Sequence, residues 1–322
     1  MKNTRLYRHF QPKHYTLDIN LEREKRTFDG TISISGIASG AEIVLHAHKL
    51  NISSAAIDGK PATFSTSSDD ALTIAQEGLA SGEHTVEVVF DGTITNPMHG
   101  VYPCYFKLDG KDEELLATQF ESHHAREVFP CIDEPEAKAT FDLTLRTEAG
   151  VTTLSNTPVK NQNEQDGKLI TRFETTPVMS TYLLAWVVGK LDYQEAKTKD
   201  GVLVRAYATP DKKSQLQYAV DTAVQCLEFY NDYFNIPYPL QKCDLIALPD
   251  FSSGAMENWG CITFREHALL VDDQHTSLST KQYVAMVVAH ELAHQWFCNL
   301  VTMRWWDDLW LNEGFASCIE YL

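Results

Sequence analysis

Residues 290–294 read His-Glu-Leu-Ala-His, and residues 312–314 read Asn-Glu-Gly. Histidines four residues apart lie one turn apart on the same face of a helix, so both imidazoles can reach one metal ion. Glu313 supplies a third ligand, and two imidazoles with one carboxylate leave a coordination position for water, as in catalytic zinc sites. We therefore predict that His290, His294 and Glu313 bind one zinc ion per chain.

Glu291 lies between the two histidines and is predicted to accept a proton from that water as the general base. Imidazole and carboxylate ligands suit a borderline, redox-silent ion, which favours zinc over iron or calcium. The alternative is a polar stripe on a surface helix. The flanking residues 283–289 and 296–297 are apolar, which indicates a buried helix, and imidazoles inside such a helix need partners.

A second run, Gly-Ala-Met-Glu-Asn at residues 254–258, precedes the two-histidine helix. With that helix and the Asn-Glu-Gly run, it resembles the aminopeptidase N family of zinc metallopeptidases. Residues 119–121 (Gln-Phe-Glu), 129–135 (Phe-Pro-Cys-Ile-Asp-Glu-Pro), 179–182 (Met-Ser-Thr-Tyr) and 309–316 also resemble this family. The resemblance extends from about residue 10 to the last residue.

The resemblance implies that Glu257 binds the free amino group of a peptide and that Glu121, from the preceding domain, is its partner. Such a pair would measure distance from the terminus, because charge-assisted hydrogen bonds to an ammonium are lost when the amine is blocked. The backbone of Gly254 and Ala255 would pair with an extended peptide. The substrate-binding residues implied in this way are Gln119, Glu121, Gly254, Ala255, Met256, Glu257 and Asn258.

Several of these residues have simpler interpretations when they are taken alone. Glu257 would be a solvated loop carboxylate, Gln119 and Glu121 the outward face of a strand, and Ser253 either an ordinary turn serine or a residue bordering the pocket. Glu320 lies seven residues after Glu313 and so on the same helix face. It is either a surface glutamate or the acceptor for an imidazole N–H.

Length and charge limit the classes of protein and partner. A chain of 322 residues with 43% hydrophobic composition suits about two globular domains. The net charge of −17 argues against nucleic acid, because there is no basic stripe to displace phosphate counterions. It is compatible with a cationic ligand group, although solubility explains it equally well.

Cysteine usage and the N-terminus favour a cytoplasmic protein without a membrane partner. The seven cysteines show no short paired spacing, which argues against a disulfide framework and for a reducing compartment. Residues 1–9 are not followed by an apolar core, and no apolar run is long enough to span a bilayer. Cys131 and Cys298, near the predicted site, are predicted to be buried spectator thiols rather than reactive ones.

Hydrophobic periodicity predicts an α+β fold with a boundary near residue 193. Residues 1–193 show a period of two, with a hairpin turn at Asp58-Gly59, and residues 194–322 become helical after Thr209. Strands are predicted at 244–248 and 261–265, and a helix cap at Ser279 or Thr280. The resemblance implies a saddle-like N-terminal β domain followed by the first part of a thermolysin-like catalytic domain.

The helix that holds Glu313 has no stop signal before Leu322. In the family, the catalytic domain continues past this point and contributes a tyrosine that stabilises the oxyanion, so we expect a missing portion that packs on the catalytic domain. The departures from the family pattern are few: Cys298 stands where glycine is common, Asp307 where asparagine is frequent, and Ile132 where an aromatic residue is common. None of them is a predicted ligand or base.

The resemblance implies a zinc-dependent aminopeptidase that hydrolyses the first bond of peptides with a free N-terminal amine. Two alternatives remain open. One is a zinc- or peptide-binding fragment without catalysis, and the other is a related enzyme that also hydrolyses epoxides.

Overall fold

The computed structural model describes residues 5–322. The strands are β1 Phe10–Glu22, β2 Thr27–Ala38, β3 Glu42–His46, β4 Asn51–Ile57, β5 Lys60–Pro61, β6 Thr63–Thr66, β7 Ala71–Ala75, β8 Gly82–Thr93, β9 Gly100–Leu108, β10 Lys111–Gln119, β11 Thr140–Glu148, β12 Thr152–Ser155, β13 Val159–Gln165, β14 Lys168–Phe173, β15 Trp186–Gly189, β16 Asp192–Lys197, β17 Leu203–Ala208, β18 Lys242–Leu248, β19 Ala255–Met256 and β20 Cys261–Arg265. The helices are α1 Gln217–Phe234, α2 Leu278–Ala293 and α3 Trp310–Ile319. Short 3-10 turns occupy Leu6–Arg8, Ala125–Glu127, Thr181–Leu183, Pro210–Gln215, Glu266–Ala268 and Trp306–Asp308.

The chain forms two compact units. The first comprises the residues up to Tyr102 together with Thr118–Gly150 and Val159–Leu183, and the second comprises Pro103–Ala117, Val151–Pro158 and Leu184–Leu322. The second unit therefore draws in two segments from the N-terminal half of the chain. The boundary near residue 193 remains a prediction, since it divides the chain differently from these compact units.

An eight-stranded sheet dominates the first unit, in the order β13-β14-β11-β1-β2-β8-β4-β5. All its neighbouring strands are antiparallel except β1 and β11, which pair in parallel with Tyr15 opposite Phe141 and Ile19 opposite Leu145. A separate antiparallel sheet has the order β3-β7-β6. The β-rich N-terminal half predicted from the period of two is confirmed.

Alternate residues of the central strands point into the core of the first unit. Tyr15 and Phe141 are fully buried, and their rings stack with centroids 4.7 Å apart. Each fully buried large apolar side chain contributes about 1.5–3 kcal/mol of hydrophobic stabilisation. The predicted hairpin turn is also confirmed: Asp58 and Gly59 connect β4 to β5, and both have the positive φ that a two-residue turn requires.

A five-stranded sheet and three helices form the body of the second unit. The sheet has the order β16-β17-β18-β20-β19, in which β17, β18 and β20 are parallel and β19 is an antiparallel edge strand. A four-stranded sheet in the order β12-β15-β10-β9 is also present. The predicted strands at 244–248 and 261–265 are therefore confirmed as parts of β18 and β20.

Helices α1 and α2 pack together and present apolar faces to the core. The helical pattern predicted after Thr209 is confirmed, since Ala219, Val220, Ala223 and Leu227 lie on one face of α1 and are fully buried. The predicted cap of α2 is wrong. Ser277 has an extended backbone and its Oγ accepts a hydrogen bond from the Thr280 N–H at 3.2 Å, so Ser279 and Thr280 lie inside the first turn.

A buried charge network holds the turn that follows residues 254–258. Asp244 is fully buried and accepts hydrogen bonds from Arg205 and from the Lys242 ammonium. Lys242 also donates to the backbone carbonyls of Ser155 and Gly260, both at 2.6 Å. Gly260 has a φ of +70°, and a Cβ there would lie 2.4 Å from the Asn156 carbonyl oxygen, so this turn requires glycine.

None of the helices within residues 5–322 is long and apolar enough to cross a lipid bilayer. The segment for which no signal peptide is predicted includes residues 1–4, which lie outside the described residues. A cytoplasmic location therefore stays a prediction.

Two histidines converge on one carboxylate in the first unit. Glu127 accepts hydrogen bonds from His99 Nδ1 at 2.7 Å and from His124 Nδ1 at 2.9 Å, and the two rings stack with centroids 4.2 Å apart. Burial raises the pKa of Glu127, but the hydrogen bonds from both histidines lower it further, to about 2. The ionised form of Glu127 therefore stabilises the fold.

Because the pKa of Glu127 is depressed in the folded state, its contribution is present above about pH 4.5, the ordinary value, and is lost as the pH falls toward 2. The shift corresponds to about 3 kcal/mol at most. We expect Glu127→Gln to lower the thermal midpoint at pH 7, and the difference from the parent protein to shrink as the pH approaches 3. Glu164→Gln, in the exposed strand β13, is the control. An equal deficit at both pH values would contradict the assignment.

Candidate active site

Helices α2 and α3 bring together the three predicted metal ligands. His290 lies in the last turn of α2, His294 caps that helix, and Glu313 lies in the first turn of α3. The two Nε2 atoms are 3.0 Å apart, and Glu313 oxygens lie 3.3 Å from His290 Nε2 and 3.7 Å from His294 Nε2. The rings are nearly perpendicular, at 82°. The spacing argument from the sequence therefore places three ligand atoms around one point.

The outward-facing nitrogens decide which ring atoms carry protons. His294 Nδ1 lies 3.2 Å from the Phe297 carbonyl oxygen, which can only accept, so this nitrogen must donate. His290 Nδ1 lies 2.6 Å from a carboxylate oxygen of Glu320, which confirms the predicted acceptor. In the neutral form of each ring, Nε2 is then unprotonated, and its lone pair faces the Glu313 carboxylate.

Three acceptors that face one another require a cation between them. Burial lowers the pKa of His290, but the contacts with Glu313 and Glu320 raise it by more, so a proton is drawn to this ring. The contact with His290 is also the main cause that lowers the pKa of Glu313. A metal ion competes for the same position as that proton, so the residues present fit a bound metal.

The group around Glu127 makes a useful contrast. Its carboxylate oxygens and the Nδ1 atoms of His99 and His124 also lie close enough to share an ion. There, however, both inward-facing nitrogens can donate to the carboxylate, and the distances are those of ordinary hydrogen bonds. That group is therefore complete without a metal, whereas the group on α2 and α3 is not.

Glu291 is carried on α2 between the two histidines and is 6% exposed. Its backbone carbonyl accepts a hydrogen bond from the Gln295 amide at 2.9 Å. The flanking helix is buried or half-buried from Tyr283 to His294, as predicted from its apolar sequence. A carboxylate in this position is next to the metal ligands and largely shielded from bulk water.

The residues of the second motif form an edge strand and the turn after it. Ala255 and Met256 make up β19, which pairs only with β20 in the five-stranded sheet. The Gly254 carbonyl accepts from Arg265 N–H at 2.9 Å on that paired side. The opposite edge of β19 is the side on which an extended peptide could add.

Glu257 follows β19 and lies against the segment that comes directly after α2. Its backbone carbonyl accepts hydrogen bonds from the Gln295 and Asn299 amides, and its Oε1 accepts one from the Cys298 thiol at 2.9 Å. The carboxylate, the thiol and a ring nitrogen of His294 lie within 4.8 Å of one another. Glu257 is only 4% exposed, so it is not the solvated loop carboxylate of the simpler interpretation.

The other predicted substrate residues lie in different surroundings. Met256 and Asn258 are buried, with Asn258 donating to Thr263 Oγ1 at 3.3 Å, whereas Ser253 is exposed. In the first unit, Gln119 is the buried last residue of β10 and Glu121 is half-buried in the turn after it. Substrate contacts by the side chains of Gln119, Glu121, Met256 and Asn258 remain predictions.

Sequence reasoning missed the amides that join the two motifs. Gln295 donates to backbone carbonyls of both Glu257 and Glu291, and Asn299 donates to Glu257. Asn312, next to Glu313, is buried and donates to Cys298 Sγ at 3.1 Å. A signal was available for Gln295, because it interrupts an apolar run, and a buried amide needs a partner.

Two family profiles and several known proteins match this chain. Residues 11–183 match the profile described as "Peptidase M1 N-terminal domain", and residues 218–322 match that described as "Peptidase family M1 domain". Aminopeptidase N of Lactococcus lactis subsp. lactis is 49% identical over 97% of this chain and 37% of its own length. Puromycin-sensitive aminopeptidase of Caenorhabditis elegans is 47% identical over the whole chain and 35% of its own length.

Aminopeptidase N of Lactobacillus helveticus is 44% identical over 99% of this chain and 38% of its own length. The chain thus spans a little over a third of the length of these relatives. The two family profiles account for the β-rich N-terminal part and for the segment that carries every predicted metal ligand. The chain therefore belongs to the M1 family of peptidases.

Proposed function

We propose that this chain carries the metal centre and the amine-binding carboxylate of a zinc-dependent aminopeptidase, which removes single residues from peptide N-termini. The observation that supports this most directly is the position of Glu257, whose carboxylate lies within 4.8 Å of a ring nitrogen of His294. A site for a positive group and a site for a metal are thus next to each other.

The short distance between the Glu257 carboxylate and His294 suits the N-terminal residue of a peptide and excludes residues farther along it. In a peptide, two covalent bonds of about 1.5 Å each separate the amino nitrogen from the first carbonyl carbon. A peptide whose ammonium contacts Glu257 therefore holds its first carbonyl, and no later one, near the ligands on α2 and α3. Names of relatives that include "aminopeptidase" are consistent with this reading.

The metal we propose is zinc, held by His290, His294 and Glu313. Two imidazoles and a carboxylate form a ligand set that zinc commonly takes in hydrolases. When bound, zinc polarises a carbonyl and lowers the pKa of water. Glu320 and the Phe297 carbonyl orient the two rings through the hydrogen bonds to Nδ1.

Glu291 is the proposed general base. Its carboxylate accepts a proton from the attacking water and returns it to the leaving amine, so that the same group acts first as base and then as acid. Burial of this side chain, which is 6% exposed, keeps competing water away during the transfer. Cleavage needs no covalent bond between the protein and the peptide.

The edge of β19 that faces away from β20 is the proposed site for the peptide backbone. Main-chain hydrogen bonds to Gly254 and Ala255 would hold the substrate extended without selecting its side chains. Gln119 and Glu121 stay predicted contacts of the N-terminal residue. Replacing Glu121 with Gln and comparing KM for free and blocked peptides tests that prediction separately.

The metal assignment predicts about one zinc per chain, lost on His294→Ala. Glu320→Gln leaves all three ligands but removes the ionised acceptor of His290, so zinc affinity should fall about 10- to 100-fold. Metal analysis after dialysis against graded chelator measures both effects. His275→Ala, whose side chain is 78% exposed, should retain zinc fully. Unchanged zinc in His294→Ala would show that the ligand set is wrong.

The assignment of the base predicts a selective loss in Glu291→Gln. The amide keeps the shape of the side chain but cannot accept the proton, so kcat in the natural-length protein should fall about 10²- to 10⁴-fold with zinc retained. Steady-state kinetics on an aminoacyl amide, with metal content measured in parallel, provides the readout. The control is Glu195→Gln, at an exposed position of β16. Near-normal turnover in Glu291→Gln would require another base.

The amine site predicts exopeptidase behaviour. N-acetylation of a peptide removes the charge that Glu257 binds and leaves a buried carboxylate unpaired, so cleavage should nearly vanish. Glu257→Ala should raise KM for free-amine substrates at least tenfold while sparing zinc. The comparison uses matched free and acetylated peptides on the natural-length protein, with Glu195→Ala as control. Equal rates, or cuts far from the terminus, would contradict an amine-binding role.

A further inference from the structure

We infer that Cys298 is a positioning residue that sets the orientation of the amine-binding carboxylate, rather than a spectator thiol. The inference rests on the proposed role of Glu257. Cys298 is neither a proposed metal ligand nor the proposed base.

The thiol of Cys298 lies between the Glu257 carboxylate and the Asn312 amide of α3. Its S–H donates to Glu257 Oε1 at 2.9 Å, and its sulfur accepts from Asn312 Nδ2 at 3.1 Å. Asn312 directly precedes the ligand Glu313, and Cys298 follows the ligand His294 by four residues. One buried side chain thus connects the carboxylate of the second motif to α3.

These contacts give the two oxygens of the Glu257 carboxylate different surroundings. The thiol satisfies Oε1, while within residues 5–322 Oε2 has no hydrogen-bond donor from the protein. The Gln295 and Asn299 amides hold the backbone carbonyl of the same residue. The backbone and one carboxylate oxygen are therefore immobilised, and the other oxygen is left for an ammonium.

The backbone at Cys298 indicates that the side chain is retained against a local penalty. Its φ is +150°, in a region that suits glycine and is strained for residues with a Cβ. Strain of this kind persists only where the surroundings impose it, and it concentrates at functional sites. Cys298 is also fully buried, as predicted, so its thiol interacts with the protein rather than with solvent.

Three substitutions separate the thiol from the backbone. Cys298→Ala removes the donor and keeps the strain, Cys298→Gly removes both, and Cys298→Ser keeps a donor of similar geometry. In the natural-length protein, we expect Ala and Gly to raise KM for an aminoacyl amide about tenfold, the usual effect of losing a hydrogen bond to a charged group. Turnover should change less than about threefold, and Ser should recover most of the affinity.

Zinc content and thermal midpoint are measured for each variant, and Cys261→Ala, at a buried thiol in β20, is the matched control. A normal KM in Cys298→Ala, or recovery in Gly but not in Ser, overturns the inference. Parallel losses of zinc, stability and kcat that Ser does not rescue also overturn it, because they indicate packing alone.

Glu257→Ala, tested in the same assay, distinguishes a failure of the positioning role of Cys298 from a failure of the proposed amine site. If Glu257→Ala raises KM and Cys298→Ala does not, the positioning role fails and the proposed amine site stands. If neither raises KM, the proposed amine site itself is wrong.

Discussion

The mutual repulsion of three proton acceptors is the constraint on which the second unit depends. His290 Nε2, His294 Nε2 and the Glu313 carboxylate face one another because hydrogen bonds on the far side of each ring fix its orientation and place a proton on Nδ1. A cation between the three groups would attract all of them. Without a cation, their mutual repulsion opposes the approach of α3 to α2. A ten-residue helix such as α3 is marginal by itself, so an ion bound by these three groups would help to keep it in place.

The segment that follows α2 fixes the position of Glu257 relative to the predicted metal ligands. Residues 295–299 supply two amides and a thiol to Glu257, and all three donors come from the stretch immediately after His294. The distance between the predicted ligand His294 and the Glu257 carboxylate is therefore set within one short, buried piece of chain. Precision of this kind is what separates cleavage of a terminal bond from cleavage at arbitrary positions.

Much of this organisation follows from periodicity and spacing. Four-residue spacing places His290 and His294 together, and seven-residue spacing places Glu320 on the same helix face as Glu313, because both follow from the helical repeat. That this face meets His290 is a tertiary contact 30 positions apart, which spacing alone does not predict. Alternation predicts β1 and β11 from their own residues. The cap at Ser277 was missed because Ser277, Ser279 and Thr280 all have side chains suited to capping, and only the backbone conformation distinguishes them.

Contacts between distant residues lie beyond such reasoning. Gln295 and Glu257 are 38 positions apart, and nothing in their spacing predicts a hydrogen bond between them. The composition of the compact units is another case, since segments such as Val151–Pro158 pack with residues far later in the chain. Both depend on tertiary arrangement, which local pattern does not encode.

The parallel pairing of β1 with β11 has a consequence for how the first unit is synthesised. On the ribosome, β1 can pair with β2 as soon as residue 38 has emerged, but its other edge has no partner until Thr140–Glu148 follow. One backbone edge of this 13-residue strand is thus unpaired while about a hundred further residues are added, which is the situation in which strands pair wrongly between chains. Closing so large a loop also makes the step slow. The eight-stranded sheet is therefore vulnerable to mispairing during translation, until β11 has been made.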